Sequence, residues 1–238
     1  ADDALIIGQR LSEWAYRAPF LEEDIALSNI SLDLFGRANL LLEYASEING
    51  GKTSADDLAF KRNEREFFNH LLCEQPNGDF GKTIIRQFFF DSFYLLFLTK
   101  LIKSKDPQLA AISQKSLKEG TYHFRHSSQW VIRLGDGTKE SHTKLQNAIN
   151  ELWLFTDELF IMNDLDKMMV KQKIGVDRQI LKVEWTEKID KVLKKATLKQ
   201  PEKGHVISGG KEGIHSEHLG HLLSDMQYLQ RAYPDAKW

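Results

Sequence analysis

Few residues in this sequence interrupt helices or cross-link small domains. Among its 238 residues there are one cysteine, five prolines and 15 glycines. The single cysteine, Cys73, excludes a disulfide framework and a cysteine-rich zinc site, and it is typical of a reducing compartment. So few prolines and glycines over this length favour long helices. The composition therefore predicts a helical protein of the cytoplasm.

An excess of charge of one sign is also missing, since the formal net charge is only −2. A basic surface able to bind nucleic acid or an anionic membrane is therefore not expected. The first residues show no basic segment followed by an apolar one, as an export signal requires. We expect a cytoplasmic chain with neither nucleic acid nor membrane as a partner.

Long apolar runs are limited to residues 84–102, which include five phenylalanines between positions 88 and 97. A membrane span needs about 20 largely uncharged residues. Because this run contains Arg86, Asp91 and Lys100, we predict a fully buried helix of a helical bundle instead.

Helical periodicity covers most of the chain and predicts an all-α fold. The predicted helices span about residues 3–17, 19–48, 56–74, 79–103, 107–134, 138–162, 177–199 and 216–232. Several are about 20–30 residues long and are joined by short connections, which favours an antiparallel four-helix bundle with additional N- and C-terminal helices. A glycine-rich loop at residues 204–213 precedes the last helix.

Three ionisable residues, Arg37, Asp91 and His123, lie on the apolar stripes of different predicted helices. Each lies near the middle of its helix, so we predict that all three meet at one level of the core. Carboxylates and histidines at the centre of a four-helix bundle are typical of a di-iron site. The alternative is a buried ion pair between Arg37 and Asp91, with His123 completing the hydrogen bonds. No Glu-x-x-His pair lies on a core stripe and a guanidinium repels iron, so the residues favour the ion pair.

A second cluster of possible metal ligands lies near the C-terminus and comprises Glu212, His215, Glu217, His218 and His221. The first two residues have the Glu-x-x-His spacing of di-iron proteins. The cluster begins in a glycine-rich loop and has no second copy. Hydrogen bonding at the surface or helix capping is therefore favoured over a metal site.

Several ungapped segments, in the same order, resemble the C subunit of the bacterial 1,2-phenylacetyl-CoA epoxidase family. These segments are Leu21–Ala38, Cys73–Asp79, Asp106–Ile112, Leu134–Thr138, His215–Gly220 and Met226–Arg231. The resemblance covers essentially the whole chain. It implies a single ferritin-like domain over residues 1–238, with a core bundle over about 19–162 and a C-terminal extension over about 163–238.

The resemblance also implies a role in a multicomponent monooxygenase. Such a complex is thought to epoxidise the ring of phenylacetyl-CoA in aerobic phenylacetate degradation, using O₂ and electrons from a reductase. The di-iron centre is in the paralogous catalytic subunit, which the C subunit holds in a heterodimer. We therefore expect a non-catalytic structural subunit that binds no cofactor itself. Its expected partners are the catalytic subunit, a small bridging subunit and the reductase, with phenylacetyl-CoA bound through the complex.

The metal-ligand positions of the paralogous catalytic subunit can be carried over to this sequence. They fall on Glu13, Leu34, Arg37, Asp91, Gly120 and His123. Leu34, Arg37 and Gly120 stand where three ligands would be, which implies a vestigial site with neither metal nor catalytic residues. On this hypothesis the Arg37 guanidinium replaces the metal charge beside Asp91, and an Arg37→Leu variant loses a few kcal/mol of stability.

The resemblance further implies that two stretches contribute to the environment of the CoA substrate. These are Glu66, Phe67, Phe68 and Asn69 in the first stretch, and Lys167, Met168 and Met169 in the second. Phe67 and Phe68 are equally typical of core or interface residues. Lys167 suits a CoA phosphate, as does any surface lysine.

Two other functions stay open at this point. One is a free-standing di-iron oxygenase with unrecognised ligands, which bound iron would reveal. The other is a CoA-binding module without a redox partner, which stable co-purification with a paralogous protein would exclude.

Overall fold

The computed structural model describes residues 1–202, 204–234 and 236, and among these it contains ten α-helices and no β-strand. The helices in chain order are α1 (Asp2–Ser12), α2 (Leu21–Ile48), α3 (Ala55–Phe60), α4 (Leu71–Glu74), α5 (Phe80–Leu101), α6 (Pro107–Gly135), α7 (Lys139–Leu152), α8 (Asp164–Lys171), α9 (Leu181–Lys195) and α10 (Glu217–Ala232). The predicted all-α class is confirmed, and the fold is consistent with a ferritin-like helical bundle.

The chain forms two compact units. Unit 1 comprises residues 1–76 together with the chain from Gly209 onward, and unit 2 comprises residues 77–208. The prediction of one domain over the whole chain stays a prediction.

Unit 1 is organised by the packing of α1 against α2. At Gly8 the two helices approach so closely that a Cβ atom there would lie 3.2 Å from the Leu34 Cβ. The Ser31 hydroxyl donates a hydrogen bond to the Gly8 carbonyl at 2.8 Å. A glycine on α1 therefore lets the α2 backbone come near enough for this direct bond.

Unit 2 is built around α5, which packs against α6, α7 and α9. The four phenylalanines Phe88, Phe89, Phe90 and Phe93 each expose 2% or less of their surface. The predicted buried helix is confirmed as far as residue 93, but the expectation of full burial over residues 84–102 is wrong at its end, where Thr99 and Lys100 are exposed. No helix in the described part of the chain is long and apolar enough to cross a membrane.

The first predicted helix is too long at its C-terminal end. It was predicted over residues 3–17, but α1 ends at Ser12 and the chain continues in tight turns. Tyr16 adopts a left-handed conformation with φ 65°, and its N–H donates to the Asp24 carboxylate at 2.9 Å. A bond to a side chain thus takes the place of a helical bond at Tyr16.

The predicted helix over residues 56–74 is wrong, since only α3, a short 3-10 turn at Glu64–Glu66 and α4 form there. The backbone between them bonds to side chains instead. The Phe68 N–H donates to Asp2 at 2.9 Å, and the His70 N–H donates to Asp3 at 2.7 Å. These carboxylates on α1 satisfy the groups that a helix would have paired internally.

The helices near residues 138–199 also differ from prediction at their ends. After Leu152 the chain forms 3-10 turns at Trp153–Phe155 and Asp157–Phe160 rather than continuing α7 to residue 162. The helix α8 was not predicted, and Asn163 caps it in a capping box with Asp166. The predicted helix over 177–199 is α9, which is shorter at both ends.

Candidate functional site

Asn69, Glu74, His215 and Ser216 form a buried hydrogen-bonded cluster in unit 1, which we call the Glu74 cluster. The side chains of Glu74 and His215 have no solvent exposure, and Nδ1 of the imidazole lies 2.9 Å from Oε2 of the carboxylate. The Ser216 N–H donates to Oε1 at 2.7 Å, and the Asn69 amide donates to Oε2 at 3.0 Å. Both oxygens of the Glu74 carboxylate thus accept hydrogen bonds.

The surroundings of His215 favour its positively charged form. Its second ring nitrogen, Nε2, lies 2.9 Å from the Phe67 carbonyl oxygen. Both nitrogens therefore face oxygen atoms, an arrangement that suits the doubly protonated ring. Burial disfavours the charged ring, but the hydrogen bonds to Glu74 and Phe67 outweigh it and raise the pKa of His215 above its ordinary value.

The first helix is tied to the same region. The Arg10 guanidinium donates to the Glu74 carbonyl at 2.7 Å and to the His218 carbonyl at 3.2 Å. The Asp3 carboxylate lies 2.9 Å from Nδ1 of His70. Burial would raise the pKa of Asp3, but its contact with His70 holds that pKa well below the usual range. Charged groups thus connect α1, the segment around α4 and the start of α10.

Two glycines allow the segment before His215 to lie directly on the backbone of residues 65–71. A Cβ atom at Gly210 would lie 2.1 Å from the Asn69 carbonyl oxygen, and one at Gly213 would lie 2.5 Å from the Arg65 carbonyl oxygen. Gly213 also has φ 72°, in the left-handed region. Only glycine fits at both positions, so this loop is shaped for close packing.

The six positions carried over from the metal site divide between the two units. Glu13, Leu34 and Arg37 belong to unit 1, and Asp91, Gly120 and His123 belong to unit 2. Glu13 is exposed and accepts a hydrogen bond from Arg10 at 2.9 Å, whereas the other five are buried. In unit 2, α5 and α6 pack together and carry Asp91 and His123. The meeting of Arg37, Asp91 and His123 stays a prediction.

The first stretch proposed for the CoA environment alternates between exposed and buried side chains. Phe67 and Asn69 are fully buried, whereas Phe68 is 48% exposed. The Glu66 carboxylate accepts from the Asn63 N–H at 2.7 Å and caps the 3-10 turn. Phe67 is therefore a core residue, while Phe68 is open to a second molecule.

The second stretch lies on α8 in unit 2. Lys167 is exposed and forms an ion pair of 3.0 Å with Asp164. Met168 is 48% exposed, and Met169 is half-buried. This stretch and the one at residues 66–69 belong to different units, and their shared role stays a prediction.

The C-terminal cluster of Glu and His residues is dispersed. The expectation of a surface position is wrong for His215, whose side chain is fully buried against Glu74. Glu212, Glu217 and His221 are exposed, and His218 is half-buried. Within the described residues, no three His, Cys, Asp or Glu side chains come together as a ligand set for a metal ion.

Sequence reasoning missed the Glu74 cluster because its members are far apart in the chain. The Glu-x-x-His spacing singled out His215 but paired it with Glu212. Its actual partner, Glu74, lies 141 residues away. Both charged groups are buried and fully hydrogen-bonded within unit 1, so the cluster connects chain segments rather than offering a reactive group.

The fold and these positions can now be compared with known proteins. A family model described as "Phenylacetic acid catabolic protein" matches residues 1–238. The chain belongs to this family of helical proteins.

A particular relative is the C subunit of the 1,2-phenylacetyl-CoA epoxidase of Escherichia coli (strain K12). It is 48% identical over 237 residues, which cover 100% of this chain and 95% of that protein. The resemblance drawn from the ordered sequence segments is thereby confirmed.

Proposed function

We propose that this chain is a non-catalytic structural subunit of a cytoplasmic phenylacetyl-CoA epoxidase complex, where it binds and stabilises a paralogous di-iron catalytic subunit. The observation that carries the proposal is the chemistry at the positions where the resemblance places iron ligands. Leu34 and Gly120 offer no donor atom there, and Arg37 brings a positive charge. These residues do not fit a pair of iron ions, so we assign no step of the oxygenation to this chain.

The surroundings of these positions support the proposal. Leu34 and Arg37 expose only 1% and 2% of their surfaces. A Cβ atom at Gly120 would lie 3.5 Å from Cδ1 of Leu98 on α5, so a longer side chain would meet that leucine. Buried packing of this kind is typical of a core rather than of a metal site with open positions.

The full-length similarity supports membership of the same kind of complex. The relative from Escherichia coli is by its name a subunit of an epoxidase that acts on phenylacetyl-CoA. We expect this chain to take part in aerobic phenylacetate degradation with a catalytic subunit, a small bridging subunit and a reductase. Of the two stretches proposed to adjoin the substrate, Phe68, Lys167 and Met168 have exposed side chains that a second molecule can contact.

The test compares the chain purified alone with the chain co-expressed with the paralogous catalytic subunit from the same organism. We expect no iron in the chain alone by elemental analysis, and stable co-purification of an iron-containing heterodimer. The catalytic subunit purified alone is the positive control for iron. About two irons per chain in this protein alone would instead indicate a di-iron oxygenase. Failure to bind the catalytic subunit would contradict the structural role.

A further inference from the structure

One corner of unit 2 carries five exposed lysines from two segments of the chain, which we call the lysine patch. Its members are Lys100, Lys103, Lys105, Lys171 and Lys173. The N–H of Lys105 donates to the Lys173 carbonyl at 2.9 Å, and the Ser104 hydroxyl donates to the Ile174 carbonyl at 2.8 Å. These bonds hold the chain after α5 beside the end of α8, so the two segments that carry the five exposed lysines adjoin.

The five positive charges of the lysine patch outnumber the negative charge beside them, which comes from Asp106. None of its lysines forms an ion pair with another residue that the structure describes. The nearby Asp106 carboxylate caps α6 by accepting from the Leu109 N–H at 2.9 Å. At the other end of α8, Asp164 pairs with Lys167 and Asp166 pairs with Arg178. A chain of net charge −2 thus concentrates positive charge at one place.

Lys173 adopts a backbone conformation that is uncommon for lysine. It follows the C-terminus of α8 with φ 63°, in the left-handed region where glycine is the usual residue. This conformation closes the helix, since the Ile174 N–H donates to the Met169 carbonyl at 2.9 Å. The carbonyl of the same Lys173 accepts the bond from Lys105.

The lysine patch adjoins an apolar helix side. The helix α8 has no buried residue, and its Leu165 and Met168 are 59% and 48% exposed. Lys171 follows Met168 by three residues and so lies on the same side of the helix. A small apolar centre with a charged rim is the usual anatomy of a protein interface, whereas phosphate-bearing small molecules bind in concave sites.

We propose that the lysine patch and the exposed side of α8 form a docking surface for a protein that presents carboxylates around a small apolar area. Two exposed apolar side chains are too few for a permanent interface, so the contact is reversible and steered by charge. The proposal rests on the proposed function in one respect, because the partner is sought among the other subunits of the same complex.

The experiment immobilises the heterodimer of this chain with the catalytic subunit and measures association of the purified reductase and bridging subunit separately. Association rates are compared at about 50 mM and about 300 mM salt, which differ strongly in screening. The test variant carries Lys103→Glu, Lys105→Glu and Lys171→Glu. The matched control reverses the charge of three exposed lysines outside the patch, on α6 and α9. Its substitutions are Lys118→Glu, Lys191→Glu and Lys195→Glu.

We expect one of these subunits to associate at least about tenfold more slowly with the test variant at low salt, with little difference at high salt. The control variant should match the wild type. Equal rates for wild type and test variant, or no salt-dependent association of either subunit, would overturn the proposal. So would loss of the catalytic subunit from the test variant, which would place the patch in the permanent interface.

Two further ligands test whether the lysine patch binds phosphate groups rather than a protein. In one outcome, the wild type and the control variant bind inorganic pyrophosphate or phosphatidylglycerol vesicles while the test variant does not, with protein association unchanged in all three. That result would assign the patch to phosphate groups and overturn the proposal. Failure of the proposed function differs from failure of the docking proposal, because in the first case the chain does not bind the catalytic subunit at all. The salt-dependent association could still be measured with the chain alone.

Discussion

A cluster inside unit 1 pairs a carboxylate with a histidine ring, both without solvent exposure, whereas a cluster inside unit 2 consists of packed aromatic rings. In unit 1, Glu74 and His215 are joined at 2.9 Å and satisfied by backbone groups. In unit 2, the Phe89 ring lies 5.5 Å from the Trp153 ring and 6.0 Å from the Trp185 ring, between centroids.

The two interiors respond differently to the loss of one side chain. An aromatic core loses stability roughly in proportion to the apolar volume removed. A buried ion pair loses more than its own contact when one member is removed, because the remaining charge stays buried without its partner. The Glu74 cluster therefore depends on the identity of each group, whereas the aromatic cluster of unit 2 depends mainly on volume.

The largest effect is expected for Trp185→Ala in unit 2. Trp185 is 2% exposed, its ring lies 5.4 Å from that of Phe160, and its Nε1–H donates to the Phe89 carbonyl at 3.1 Å. We expect the free energy of unfolding to fall by about 3–5 kcal/mol, measured by urea unfolding. Trp185→Phe, which keeps a ring, should lose clearly less. Equal losses for both variants would show that volume does not govern unit 2.

A loss of about 3 kcal/mol is expected for Glu74→Gln in unit 1. The substitution keeps the size of the side chain but leaves the His215 charge without its counter-charge. The same urea titration measures this loss of stability. Lys144→Gln provides the control, because the ion pair between Lys144 and Glu140 is exposed. The control should be unchanged. A Glu74→Gln protein as stable as wild type would mean that charge is not needed in the cluster.

Gly210→Ala should cost about 1–3 kcal/mol, since the new methyl group overlaps backbone. Its Cβ would lie 2.1 Å from the Asn69 carbonyl oxygen. The loop must shift, and with it the segment that positions His215. Thermal and urea unfolding measure the loss, and an unchanged protein would show that the loop has room to move.

A smaller, pH-dependent effect is expected from His215. Its pKa is raised in the folded protein, so its contribution to stability is complete below the unfolded value of about 6.5 and is lost as the pH rises through the folded value. The lowered pKa of Asp3 acts oppositely, and its contribution is lost as the pH falls below about 4. Urea unfolding from acidic pH, below about 4, up to alkaline pH measures both slopes.

The pH dependence also distinguishes the two units. A His215→Gln variant should lose the decline in stability on the alkaline side, whereas Trp185→Phe in unit 2 should keep it. If the decline persists in His215→Gln, another group is responsible for it.

The smallest effect, with the opposite sign, is expected for Gly120→Ala in unit 2. The added Cβ would lie 3.5 Å from Leu98 Cδ1, which is an ordinary contact. Glycine within a helix costs about 0.5–1 kcal/mol relative to alanine, so the variant should gain about that much. Urea unfolding of the variant and of the wild type, compared side by side, measures the gain in stability. A loss similar to that of Gly210→Ala would mean that the site at Gly120 is tightly filled.

The two central helices of unit 2 were more predictable from the sequence than residues 56–74 of unit 1. The Phe-rich helix and its successor were predicted over about 79–103 and 107–134, close to α5 and α6 as observed. Their periodicity, their caps at Asp79 and Asp106, and the proline after the second cap are all local signals. The prediction of a helix over residues 56–74 was wrong because the backbone of this segment bonds to side chains distant in sequence.

The helical class, the burial of most of α5 and the family all followed from the sequence alone, because periodicity and ordered segments are properties of neighbouring residues. It also placed Leu34, Arg37 and Gly120 at positions where the resemblance expects iron ligands. The folded chain was needed to show that His215 pairs with Glu74, that glycines dock their loop on residues 65–71, and that two lysine-bearing segments adjoin. Each of these contacts joins residues distant along the chain, and folding alone brings them within bonding distance.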